Sequence, residues 1–159
     1  MSKLAYDGRG AVITGGARGI GLAVAQRLAA GGARVALWDV DAAALEAALA
    51  ALPAGGGHTS CRLDITAEAA VAEAREQSEA AIGSLDILVN NAGITGPNQK
   101  TWEYSLEDWE RVIAVDLTAV FLCCRALVLG MLERGYGRVV NIASVAGTEG
   151  NPNAPADST

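Results

Sequence analysis

The sequence has little of what metal sites and disulfide frameworks require. Its 159 residues contain one histidine, His58, and three cysteines, and no Cys-x-x-Cys pair occurs. Without a usual set of Cys and His ligands, we expect no transition-metal site. The odd number of cysteines argues against a disulfide framework and favours a reducing, cytoplasmic location, with Cys61, Cys123 and Cys124 buried as small hydrophobic residues. His58 follows a Pro- and Gly-rich stretch, so we expect it to be solvent-exposed in a loop rather than catalytic.

Basic residues are scarce as well. Twelve Lys and Arg stand against 18 Asp and Glu, and the formal net charge of −6 would repel the phosphates of nucleic acid. The N-terminal residues 1–5 lead directly into the first strand without a signal-like segment, and no uninterrupted apolar run looks long enough to span a bilayer. We therefore expect no nucleic-acid or membrane partner. Small molecules and further copies of the chain, in a homo-oligomer, are the expected partners.

What the chain does have is a regular alternation of apolar runs and helical patterns. With 51% hydrophobic and 19% charged residues, residues 1–159 are predicted to form a single domain. Strands are predicted at 11–13, 34–38, 59–63, 85–89 and 138–143, and helices at 20–30, 42–52, 67–82 and 106–134. Strands that alternate with helices indicate an α/β fold, a doubly wound parallel sheet with helices on both faces.

A glycine-rich turn joins the first strand to the first helix. Thr14-Gly15-Gly16-Ala17-Arg18-Gly19-Ile20-Gly21 follows the buried strand and opens the helix. Glycine permits the reversal of the backbone and its close approach to a ligand, while the helix start presents free N–H groups that suit a phosphate. A purely structural connection between strand and helix remains the alternative.

Two aspartates end the next two strands. Asp39 could accept hydrogen bonds from an adenosine ribose, and its charge would repel a 2′-phosphate, which favours NAD over NADP. Alternatively, Asp39 or Asp41 caps the helix that follows. Asp64 ends the third strand, where it could line a ligand cleft or simply begin a helix. Arg18 leaves NADP open as an alternative cofactor, because its guanidinium could reach a 2′-phosphate.

Two amides follow the fourth strand, in Asn90-Asn91-Ala92-Gly93. Buried amides need hydrogen-bond partners, so we expect them to fix a turn by bonding the neighbouring backbone and to line the cofactor cleft. A purely structural role is the alternative. Ala146, Thr148 and the irregular connection 94–104 are the parts that could line a substrate pocket.

These motifs, in this order, resemble the short-chain dehydrogenase/reductase family over essentially the whole chain. The glycine turn matches the cofactor turn of that family, Asn90 to Gly93 its N-N-A-G motif, and Ser144 in Asn141-Ile142-Ala143-Ser144 its catalytic serine segment. Within the family, the sequence looks closest to 3-oxoacyl-carrier-protein reductase-like enzymes or to sugar and polyol dehydrogenases. The resemblance implies a Rossmann-type fold of which this chain carries the first five of seven strands.

The same resemblance implies function and residue roles. The family transfers a hydride between a nicotinamide cofactor, here NAD, and a small alcohol or carbonyl substrate. The catalytic residues it implies are Ser144 and Asp116, the latter in place of an asparagine. The implied cofactor-binding residues are Gly15, Arg18, Gly19, Ile20, Gly21, Asp39, Val40, Asp64, Ile65, Asn91, Ala92 and Gly93.

One departure from the family pattern is large. Counted from Ser144, the catalytic tyrosine falls at Asp157, and its lysine partner falls two residues beyond Thr159. A carboxylate with a reference pKa of about 3.9 has no proton to give an alkoxide at pH 7. We therefore expect residues 1–159 to be the cofactor-binding part of a longer enzyme and to be inactive on their own. The alternative is a non-catalytic module that binds a dinucleotide or another protein chain.

Overall fold

Five strands and six α-helices alternate along the chain in a computed structural model that describes residues 6–150, 152–156 and 158. The strands are β1 (Gly10–Thr14), β2 (Arg34–Asp39), β3 (Thr59–Arg62), β4 (Leu85–Asn90) and β5 (Arg138–Asn141). The helices are α1 (Gly19–Ala30), α2 (Ala42–Ala50), α3 (Glu68–Ile82), α4 (Leu106–Ile113), α5 (Ala119–Glu133) and α6 (Ala146–Glu149). A 3₁₀ turn spans Thr101–Glu103, and a π-helical segment, Ala114–Thr118, joins α4 to α5.

The strands form one sheet in the order β3-β2-β1-β4-β5. Every neighbouring pair is parallel, so the predicted fold class is confirmed. The chain first builds outward from β1 through β2 to β3, and then returns to place β4 on the other side of β1. In open α/β sheets, ligands bind at the carboxyl ends of the strands where the order reverses, which here lies between β1 and β4.

The core has two layers, one on each face of the sheet. On one face, Ile13 and Leu37 of the central strands belong to the same buried cluster as Leu28 of α1 and Leu45 of α2. On the other face, the buried cluster joins Val12, Trp38 and Leu88 to residues of α3 and α5. Because successive strand residues point to opposite faces, an almost continuous apolar strand buries both sides.

Two of the three cysteines are buried as predicted. All three thiols are free; Cys61 and Cys123 are buried and Cys124 is half-buried. Burial raises the pKa of the Cys123 thiol to about 12, so this group stays protonated and behaves as a small hydrophobic side chain.

Element bounds agree with the predicted ones within one or two residues, except in the longest helix. Instead of one helix over 106–134, α4 and α5 are joined by the π-helical segment. A π-bulge accommodates one extra residue per turn and occurs frequently at functional sites, and its hydrogen-bond pattern leaves no trace in the apolar spacing. The prediction of one uniform helix was therefore wrong in its middle.

The helical run Leu106–Glu133 is long and apolar. It spans 28 residues, and one window within it reaches a mean hydropathy of 2.3, enough by length and composition to cross a membrane. Asp116 and Arg125 interrupt this window, so the expectation of no uninterrupted apolar run of this length holds, although the helix as a whole passes the test. A core helix passes the same test by length and composition; 28% of the window is buried, and α5 packs against β4 and α3.

Candidate functional site

The glycine turn between β1 and α1 is held against the end of β4. Gly15 has a φ of +61°, a conformation that favours glycine. A Cβ at Gly15 would lie 2.9 Å from the Cα of Ala92, and one at Gly21 would lie 2.3 Å from the carbonyl oxygen of Gly15. Both positions therefore require glycine so that the turn, the helix start and β4 can approach each other.

The start of α1 presents unpaired backbone donors. Its N-cap residue, Arg18, has an extended backbone and makes no capping hydrogen bond through its side chain, and the first turn contains no acidic residue. The first N–H groups of a helix have no partner within it, and the helix dipole adds a partial positive charge. This arrangement is suited to an anion such as a pyrophosphate.

A clasp of hydrogen bonds joins Thr14 to Asn91 across the ends of β1 and β4. The Thr14 hydroxyl oxygen accepts from the backbone N–H groups of Asn91 (3.0 Å) and Ala92 (3.1 Å). In return, Asn91 Nδ2 donates to the carbonyl oxygens of Thr14 (3.0 Å) and Gly15 (3.1 Å). The expected bonding of this amide to neighbouring backbone is thus present, and it fixes the edge of the cleft.

The other amide of the pair faces the opposite direction. Asn90 is almost completely buried, and its Nδ2 donates to Asn141 Oδ1 at 2.8 Å. The backbone N–H of Ile142 donates to the carbonyl oxygen of Asn90 at 2.9 Å. Asn90 therefore ties the carboxyl end of β4 to β5 and to the segment that leads to Ser144, rather than lining the cleft as expected.

Asp39 points back at the glycine turn. Its Oδ2 accepts from the backbone N–H of Ala17 at 3.2 Å, and its Oδ1 accepts from the N–H of Asp41 at 3.1 Å. An ionised carboxylate can accept about four hydrogen bonds, so each oxygen keeps capacity for a ribose hydroxyl. The helix-cap alternative belongs to Asp41, whose Oδ1 accepts from the N–H of Ala44 at 3.0 Å at the start of α2.

Asp41 also forms an ion pair with Arg18. The Nη2 atom of Arg18 donates to Oδ2 of Asp41, which links the start of α1 to the start of α2. The hydrogen bond from Ala44, followed by that from Arg18, lowers the pKa of Asp41. Asp41 is therefore ionised at neutral pH and holds both partners.

Asp64 forms a local turn at the end of β3. Its Oδ1 accepts from the backbone N–H (2.9 Å) and the hydroxyl (2.7 Å) of Thr66. Helix α3 begins at Glu68, after an N-cap without a side-chain hydrogen bond. Asp64 thus stabilises the turn before the helix and also lines the cleft. The two alternatives for Asp64, a place in the cleft and a place at the helix start, are therefore compatible.

These side chains surround a cleft of about 560 Å³ at the carboxyl edge of the sheet. Nine of the twelve predicted cofactor residues line it: Gly15, Arg18, Asp39, Val40, Asp64, Ile65, Asn91, Ala92 and Gly93. Gly19, Ile20 and Gly21 form the first turn of α1 and do not line the cavity itself. The sequence interpretation assigned no cofactor role to the other lining residues, which are Trp38, Leu63, Thr66, Ile94, Arg111, Ala114 and Val115.

The missed lining residues have different origins. Trp38, Leu63 and Thr66 lie next to predicted residues at strand ends, so the strand pattern could have identified them. Arg111, Ala114 and Val115 come from α4 and the π-helical segment, and only the tertiary packing brings them to the cleft.

Ser144 and Asp116 lie outside this cavity, at the same edge of the sheet. Ser144 follows β5, and its Oγ accepts from the N–H of Ala146 at 3.1 Å. Asp116 lies in the π-helical segment, and its Oδ1 accepts from the N–H of Ile94 at 2.9 Å. Asp157, where the resemblance expects a tyrosine, lies outside the described residues.

His58 differs from its prediction. It is half-buried, and its Nδ1 accepts from the backbone N–H of Val35 at 3.1 Å. Burial, the larger of two opposing influences, lowers the pKa of His58. His58 does lie in the loop before β3, but the expectation that it is solvent-exposed was wrong, because it pairs with the β2 backbone where strand pairing begins.

Comparison with known proteins finds a similar curated protein and two similar solved structures. The chain is 50% identical over 151 residues to 2-dehydro-3-deoxy-L-rhamnonate dehydrogenase (NAD(+)) from Sphingomonas sp. (strain SKA58), and the match covers 95% of this chain and 59% of that protein. The structure matches NAD⁺-bound xylitol dehydrogenase with a TM-score of 0.90 at 36% identity, over 96% of this chain and 59% of the other. A metagenomic short-chain oxidoreductase in complex with NADP matches with a TM-score of 0.88 at 36% identity, over 98% and 70%.

The chain thus spans about three fifths of the length of the curated relative. The family model described as short chain dehydrogenase matches residues 9–159, a range that includes the glycine turn, the Thr14–Asn91 clasp and Ser144. The chain therefore belongs to the short-chain dehydrogenase family of oxidoreductases.

Proposed function

We propose that the protein uses NAD to transfer a hydride to or from a small polyhydroxylated substrate, a sugar acid or a polyol. The relative named for a deoxy sugar acid and the structural neighbour named for xylitol support this substrate class. The activity is proposed for the whole protein, since this chain spans 59% of the relative's length.

The observation that carries the proposal is the position of Asp39. Its carboxylate lies at the carboxyl end of β2, hydrogen-bonded to the backbone of the glycine turn and lining the cleft. A carboxylate at this place accepts hydrogen bonds from the 2′-hydroxyl of an adenosine ribose. A purely structural turn would not need an acid aimed into a cavity.

The cleft and the adjoining start of α1 together offer contacts for successive parts of a dinucleotide. The N–H groups at the start of α1 would hold the pyrophosphate, and Asp39 would hold the adenosine ribose. Ile65 and Val115, which line the same cleft, offer apolar contacts for the adenine. When bound, a nicotinamide cofactor supplies or accepts the hydride.

Ser144 and Asp116 would act on the substrate side. Ser144 Oγ accepts from Ala146, which uses a lone pair and not the hydroxyl proton, and we propose that this proton is donated to the substrate oxygen. Asp116 holds the backbone of Ile94, directly after the amide motif, and thereby positions the wall between the cleft and the connection 94–105.

Titration with NADH tests the cofactor assignment, because NADH emission changes when it enters a cleft. We expect saturable binding, and Asp39→Asn should weaken it about tenfold by removing a charged hydrogen-bond acceptor. Glu133→Gln, at the exposed end of α5, removes the same charge away from the cleft and should leave the dissociation constant unchanged. A folded chain that does not bind NADH would contradict the proposal.

We also propose that these 159 residues alone do not turn over substrate. The acid–base pair of the family would fall at Asp157 and beyond Thr159, and Asp157 cannot provide the proton. Oxidation of NADH with a panel of keto sugar acids should be undetectable for these residues. Turnover by this chain would contradict the proposal.

A specific observation favours a second candidate function, a module that binds another protein chain. All four residues of β5 are exposed, and β5 has a single neighbour in the sheet among the described residues. Homo-oligomer formation through this surface is compatible with the enzyme proposal. A stable hetero-complex unaffected by NADH would favour the module, whereas a homo-oligomer that binds NADH would favour the enzyme.

The cellular location is proposed separately. The three free cysteines support a reducing, cytoplasmic location.

A further inference from the structure

Arg18 is the cationic side chain of the cleft that lies beside Asp39. It comes from the glycine turn and lines the cavity together with Asp39 and Val40. Its guanidinium does not extend freely, because Nη2 is bonded to Asp41 Oδ2. An arginine near the end of β2 is the group that accommodates a 2′-phosphate in proteins that bind NADP. The ion pair with Asp41 therefore bears on whether the cleft binds NAD or NADP.

We propose that Asp41 is a specificity-determining residue that withholds Arg18 from a 2′-phosphate and so selects NAD over NADP. The inference rests on the proposed function and extends it from Asp39 to a second acid. Asp39 disfavours NADP directly by repulsion, and Asp41 disfavours it indirectly, by occupying the cation that would otherwise offset that repulsion.

The position of Asp41 is fixed by three contacts. Its Oδ1 accepts from Ala44 N–H at the start of α2, its own N–H donates to Asp39 Oδ1, and its Oδ2 accepts from Arg18. The cap and the bond to Asp39 hold the carboxylate in place before any ligand binds. A phosphate must therefore compete with an acid that is already oriented towards the guanidinium.

The ion pair is accessible enough for this competition to be measurable. The Arg18 side chain is 65% exposed and that of Asp41 is 42% exposed, so solvent screening limits the strength of the pair. A planar guanidinium can bind a phosphate through two parallel hydrogen bonds, so a phosphate is a competent rival once the acid is removed. The fold itself accommodates either cofactor, since similar structures hold NAD⁺ and NADP.

Asp41→Asn is the informative substitution because asparagine caps a helix as well as aspartate does. The side-chain oxygen that accepts from Ala44 is kept, and the charge that holds Arg18 is lost. We expect the dissociation constant for NADPH to fall about threefold to fivefold, the size of one exposed ion pair, while that for NADH changes less than about twofold. Direct fluorescence titration of both reduced cofactors measures this without any catalytic turnover.

A double-mutant cycle separates the proposed role from a general change of charge. If Asp41 acts through Arg18, Asp41→Asn has no effect on NADPH binding in an Arg18→Gln background. If removal of any nearby negative charge favours NADPH, Asp41→Asn still increases the affinity for NADPH in the Arg18→Gln background. That result overturns the inference. Asp108→Asn, in the first turn of α4, is the matched charge control and should leave the ratio of the two dissociation constants unchanged.

The failure of this inference differs from the failure of the proposed function. An unchanged NADPH to NADH ratio in Asp41→Asn, with NADH still bound, overturns the role of Asp41 and leaves the cofactor assignment intact. A folded wild-type chain that binds neither cofactor overturns the proposed function and the inference with it.

Discussion

Strands β1 and β5 belong to the same sheet, yet their surroundings differ completely. All five residues of β1 are buried between β2 and β4, whereas all four residues of β5 are exposed. Both strands lead directly into segments of the proposed site, β1 into the glycine turn and β5 into Ser144. The described residues thus enclose the proposed dinucleotide half of the site with their own packing and leave the proposed serine half open on one side.

The largest difference in stability and NADH binding should appear when one glycine after β1 and one glycine after β5 are each replaced by alanine. Alanine at Gly21 places a Cβ 2.3 Å from a backbone oxygen, and we expect a loss of about 3 kcal/mol of stability together with loss of NADH binding. Alanine at Gly147, in α6 after Ser144, meets nothing within 4 Å and should be tolerated. Urea denaturation and NADH titration of both variants measure the contrast, which would be contradicted by equal effects.

The clasp residue Thr14 should give the next largest effect. Thr14→Val keeps the shape of the side chain but deprives the N–H groups of Asn91 and Ala92 of their acceptor, at a cost of about 2 kcal/mol. Thr148→Val is the matched control on the β5 side, where the hydroxyl donates to the Val145 carbonyl at an exposed site. Thermal unfolding should show a clear decrease for the first and almost none for the second.

A smaller, pH-dependent effect on the free energy of unfolding is expected from His58, at the β2–β3 side of the sheet. Its folded-state pKa lies below the unfolded value of about 6.5, so the unfolded chain binds more protons in acid and stability falls as pH drops through this region. We expect a loss of less than about 1 kcal/mol between pH 7.5 and pH 5.5, because one half-buried group is involved.

A comparison with His58→Asn tests the origin of that pH dependence. Asparagine offers an oxygen acceptor to Val35 without titrating in this range. Because His58 is the only histidine of the chain, the loss between pH 7.5 and pH 5.5 should largely disappear in the variant. An equally steep loss in the variant would show that other groups cause it.

The smallest effect is expected on the exposed apolar surface of α5. Leu132 is 70% exposed, so Leu132→Gln should change the free energy of unfolding by less than about 0.5 kcal/mol. The same variant should reduce self-association if this surface mediates it, as measured by sedimentation. A large loss of stability in a monomeric sample would contradict the exposure of Leu132.

Local patterns predicted most of the fold. Apolar runs such as 85–89 and the glycine stop after Ala30 specify strands and helix ends through burial and backbone conformation. Asp39 could be placed in the cleft because parallel strands bring their carboxyl ends to one edge.

The remaining features depend on tertiary geometry. The π-helical segment that carries Asp116, the bond from Val35 to His58 and the contribution of Arg111 to the cleft all arise from packing between distant segments. The pairing of Arg18 with Asp41 is of the same kind, because either residue alone resembles an ordinary helix start.

A crystal structure of the chain with NADH tests directly whether Asp39 and the start of α1 hold a dinucleotide. We expect the ribose hydroxyls of the adenosine within hydrogen-bond distance of Asp39 and the pyrophosphate at the N–H groups that begin α1. A dinucleotide bound elsewhere, or Asp39 turned away from the ribose, would contradict the account.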